Sequence, residues 1–111
     1  MDTVTKQYIE MVKVSDIPWH RLTTTYGRAT DFPAELDVLW NMESMDSVDA
    51  ASEALELNIE HQSTLWHATP FAMIFLLRIF KKAQEERAHN EVAQYLAEQL
   101  VELFTVIAEC I

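Results

Sequence analysis

The chain has 111 residues, half of them apolar and about a tenth aromatic, with one Gly, three Pro and one Cys. That is a folding composition for a single domain over 1–111; it excludes a disordered tract, a disulfide scaffold and a turn-rich, many-stranded protein. A formal charge of −10, from 18 acids against 8 Lys and Arg, repels phosphate backbones and anionic lipid, so direct nucleic-acid or membrane-surface binding is not expected.

Along residues 1–14, Val4, Tyr8, Met11 and Val12 recur at helical spacing among β-branched residues. The segment reads as helix, with an extended strand as the alternative, and lacks the pattern of a signal peptide. Ser15-Asp16-Ile17-Pro18 reads as a helix start, with Asp16 or Ser15 as cap and Pro18 in the first turn. This short helix is expected to stop near Tyr26-Gly27, at the only glycine. Asp31-Phe32-Pro33 repeats the start signal and opens a helix to about Met42, with Leu36, Leu39 and Trp40 on one face. Asp46-Ser47-Val48-Asp49 reads as the next cap, its acids at the positive end of the helix dipole. Val48, Ala51, Leu55 and Ile59 form the apolar face that follows, with Glu53, Glu56 and Glu60 on the other side.

Gln62 to Thr64 reads as a turn into an apolar helix over Leu65 to Lys82. Either Thr69 caps this helix with Pro70 at its first position, or the helix begins earlier and kinks at the proline. Phe71, Ile74, Phe75, Leu76, Leu77, Ile79 and Phe80 nearly surround its axis, which predicts a central, buried helix. The last segment, about Glu85 to Ile111, reads as one long helix with a narrow polar stripe of Glu91, Gln94, Glu98, Glu102, Thr105 and Glu109. Most of it must be covered by the rest of the chain, or an apolar patch remains for a dimer or partner contact. The longest apolar run, Phe71 to Leu77, is too short to cross a bilayer. A lone cysteine, Cys110, suits a reducing compartment, so a cytoplasmic location is expected. The fold class is all-α, a compact stack of about five to six helices ending in a long one.

Three stretches in order, Ile17-Pro18-Trp19…Leu22…Tyr26-Gly27, Ala29…Asp31…Pro33…Leu36…Leu39 and Ile59-Glu60-His61-Gln62-Ser63-Thr64…Ala68-Thr69…Ala72…Phe75-Leu76, resemble a group of bacterial HEAT-like helical repeat proteins. That group's pattern has a Trp followed by Tyr-Gly-x-Ala, an Asp-x-Pro helix start, and an Ile-x-His-Gln-Gly-Thr turn into an apolar helix; this chain has Ser63 at the turn glycine. The resemblance covers about residues 17–80. It implies stacked α–α hairpins with a flat or concave binding face, and it implies no activity.

Catalytic and metal signatures are lacking. His61 and His67 are six residues apart, a spacing that does not put two ligands on one helical face, and His61 reads as a turn residue. Cys110 sits on an apolar segment without a nearby cation, which raises a thiol pKa and leaves it inert. No phosphate-cradling glycine loop or nucleophile elbow occurs, so no enzyme activity, metal or cofactor is expected. The informative feature is charge segregation. Between Arg28 and Arg78 there is no Lys or Arg, yet the interval holds nine acids: Asp31, Glu35, Asp37, Glu43, Asp46, Asp49, Glu53, Glu56 and Glu60. A continuous acidic surface steers a basic partner. These nine residues are therefore the candidate partner-binding set, with Trp40 and Trp66 as possible aromatic anchors, although their helical register places both in the core. The expected function is that of an immunity protein of a toxin-delivery system such as contact-dependent growth inhibition. It would bind a basic nuclease toxin domain and occlude its active site, as a monomer or weak homodimer. The alternative is a HEAT-like scaffolding module that docks through Leu100, Phe104 and Ile107.

Overall fold

The computed structural model describes residues 10–24, 27–61, 64–65 and 67–109. They are mostly helical, with four helices and not the five to six expected: α1 (Phe32–Asn41), α2 (Met45–Ile59), α3 (Thr69–Glu86) and α4 (Glu91–Glu109). Two antiparallel strand pairs accompany them. β1 (Thr23–Thr24) pairs with β2 (Gly27–Arg28), and β3 (Glu60–His61) pairs with β4 (Thr64–Leu65).

The helix expected over 1–14 lies mostly outside the described residues, of which Glu10 and Met11 are helical; the one expected over Ser15 to Tyr26 does not form. Two 3-10 turns, Val14–Asp16 and Trp19–Arg21, stand there, followed by the β1–β2 pair. Pro18 forces the preceding Ile17 into an extended conformation (φ −92°, ψ 129°), which stops the first turn. Asp16 does cap, but backwards: its Oδ2 accepts the Lys13 backbone N–H at 2.8 Å. Thr23 and Thr24 are β-branched and favour the strand.

The segment is firmly anchored all the same. Trp19 is buried, donates from Nε1 to the Val14 carbonyl at 2.8 Å, and packs its ring against Phe32 and Phe75 at 5.6 and 5.9 Å. Buried Thr24 donates to Asn58 Oδ1 at 3.0 Å, and the Ala68 amide donates to the Thr23 carbonyl at 3.1 Å. The small β-pair thus ties the end of α2 to the start of α3.

Helix boundaries follow local chemistry. α1 opens after Asp31 with Pro33 in its first turn and ends at Met42, which takes the left-handed conformation (φ 50°, ψ 45°). The cap of α2 is Ser44, whose Oγ accepts the Ser47 amide at 3.1 Å; Asp46 lies inside the first turn, two residues later than a cap at Asp46 would have it. α3 starts at Thr69 with Pro70 in its first turn and runs on to Glu86, so Leu65, His67 and Ala68 are not part of it. Glu85 and Glu86 belong to α3, and α4 begins only at Glu91, where Asn90 Oδ1 accepts the amides of Val92 and Ala93 at 2.9 and 3.4 Å.

Short loops make α1–α2 and α3–α4 antiparallel hairpins. The hairpins stack like on like, α1 against α3 and α2 against α4. One continuous core lies between them, built from Phe32, Leu36 and Leu39 of α1, Val48 and Leu55 of α2, Phe75, Leu76 and Ile79 of α3, and Leu96, Leu100 and Leu103 of α4. α3 is not buried all round: Leu77 is 51% exposed. Among the described residues, the two stacked hairpins leave this side of α3 without a further layer. No helix among the described residues is long and apolar enough to cross a membrane.

Candidate protein-binding surface

The acid-only interval maps onto α1, the Met42-to-Ser44 loop and α2. Seven of its nine acids, Asp31, Asp37, Glu43, Asp46, Asp49, Glu53 and Glu56, are exposed. Glu60 lies in β3, with its side chain outside the described residues. Glu35 departs from the expected solvated row. It is half-buried, and its Oε2 is buried without a hydrogen-bond partner. Burial, and secondly the nearby charge of Asp31, push its carboxyl from the ordinary 4.5 up to about 7.

A stretch of sequence free of bases is not a surface free of bases. Lys82 of α3 reaches the end of α1, where its Nζ donates to the Trp40 carbonyl and lies 4.5 Å from the Trp40 ring centroid. It also pairs with Glu86 at 3.8 Å. Arg78 donates to the Val12 carbonyl at 2.5 Å and stands over the Phe75 ring. Arg78 also helps to line a groove of about 700 Å³ with Lys13, Leu36, Asp37, Trp40 and Phe75. The flank of α1 beside α3 therefore carries mixed charge.

The side formed by α2 and α4 is different. The Tyr95 hydroxyl on α4 donates to the Asp49 carboxylate on α2. That bond first, then burial and the charges of Asp49, Glu102 and Glu53, push the Tyr95 phenol above its ordinary range. Asp49, Glu53 and Glu102 thus share one acidic surface around an aromatic ring. The sequence interval missed Glu102 and Tyr95. The signal was present: they lie seven residues apart, two turns along one face of a single helix.

Other candidates also move. Trp40, placed in the core by its register, is 44% exposed. Trp66 and Cys110 lie outside the described residues. His67 is exposed, and its Nδ1 shares a 3.0 Å hydrogen bond with Thr23 Oγ1, which binds the β1 strand to the entry of α3. Of the expected scaffold contacts Leu100, Phe104 and Ile107, Leu100 and Ile107 are buried in the core and Phe104 is half-buried. Among the described residues, no three His, Cys, Asp or Glu side chains gather as metal ligands. Glu35, its carboxyl pushed up to about 7, does not line the groove. The arrangement sets charge and an aromatic ring together on the α2–α4 side. Compared with protein-family models, curated proteins and solved structures, the chain matches none.

Proposed function

We propose that this protein is an immunity protein that binds and neutralises a basic toxin nuclease domain in the cytoplasm by covering its active site. The observation that carries the reading is the acidic α2–α4 surface, where Asp49, Glu53 and Glu102 surround Tyr95. A nuclease holds substrate phosphates with Lys and Arg, and a surface of exposed carboxylates competes for those cations. A half-buried ring within the acidic field supplies an anchor of the kind that dominates binding energy.

The test is co-expression of the chain with the product of the adjacent toxin-like reading frame, followed by association kinetics on the purified pair. The expected result is protection of the cell and an association rate that falls steeply with salt. Charge reversal by Glu53→Lys with Glu102→Lys should slow association by roughly ten- to a hundredfold and abolish protection. Protection unaffected by the double reversal would sink the reading.

A second reading, a helical scaffold module, draws support from the like-on-like stacking of the hairpins, the arrangement by which helical repeats extend. Its contact would be the outer side of α3–α4 and would not respond to reversal of Glu53 and Glu102.

A further inference from the structure

We draw no further inference here: the strongest candidate, the groove of about 700 Å³ between α1 and α3 beside Trp40, sets bases and an acid together, Lys13 and Arg78 with Asp37, in an apolar lining, and nothing in the structure shows what covers it.

Discussion

α4 presents two opposite surfaces, and adjacent residues belong to different ones. Glu102 stands in the acidic field with Tyr95, Asp49 and Glu53, whereas Val101 stands with Phe104 on the uncharged outer face. The acidic side meets α2 along its edge and turns its carboxylates to water. The uncharged side stays half-exposed among the described residues, with Leu77 and Val101 in water. The difference shows what helical periodicity can and cannot decide. It sorts residues into faces, but the number of packed layers decides which apolar faces are covered. α3 makes the same point with one pair of neighbours, Leu76 inside and Leu77 half in water.

That pair gives the largest expected effect. Leu76→Ala should cost about 2–5 kcal/mol in urea unfolding, since it empties part of a fully buried site. Leu77→Ala should stay within about 0.5 kcal/mol for the monomer, as a surface change does. Equal losses at the two positions would mean that the outer face is packed within the chain, and the comparison would fail.

Much of this layout was legible in the residues. The α1 boundaries, the apolar face of α2 and the acid-only interval all follow from capping signals and spacing. The rest depended on contacts distant in sequence or on competing local chemistry. Ser15 to Tyr26 carries a good helix start, but Pro18 and the threonines break it into turns and strand. The break between α3 and α4 was hidden because Arg87 and Ala88 are good helix formers; only the Asn90 cap marks it. Lys82, 42 residues from Trp40 in sequence, lies over its ring, and no one-dimensional charge count could place it there. Nor could the count see that Glu102 joins Asp49 and Glu53, because α2 and α4 meet only in the stack.

Salt sharpens the contrast between the two surfaces. The acidic side should bind a basic partner more slowly as ionic strength rises, because exposed charges more than about 8–10 Å apart are screened. Association kinetics across a salt series read it. An association rate indifferent to salt would place the contact on another surface.

The smallest effect concerns Glu35, which lies within the acid-only interval but outside the solvated acidic field. With its carboxyl near 7 in the fold, against 4.5 ordinarily, the folded state holds a proton that the unfolded chain releases. Below pH 4.5 both states are protonated, and Glu35 adds no pH-dependent cost. Between 4.5 and 7 the unfolded chain ionises first, so stability falls as pH rises; above 7 the loss is constant. Because Glu35 is only half-buried, solvent screening reduces the penalty to about 1 kcal/mol. Glu35→Gln should therefore be about as stable as the parent at pH 4 and more stable by that amount at pH 8. Parallel profiles for the two proteins would place Glu35 back among the solvated acids and return it to the candidate binding surface.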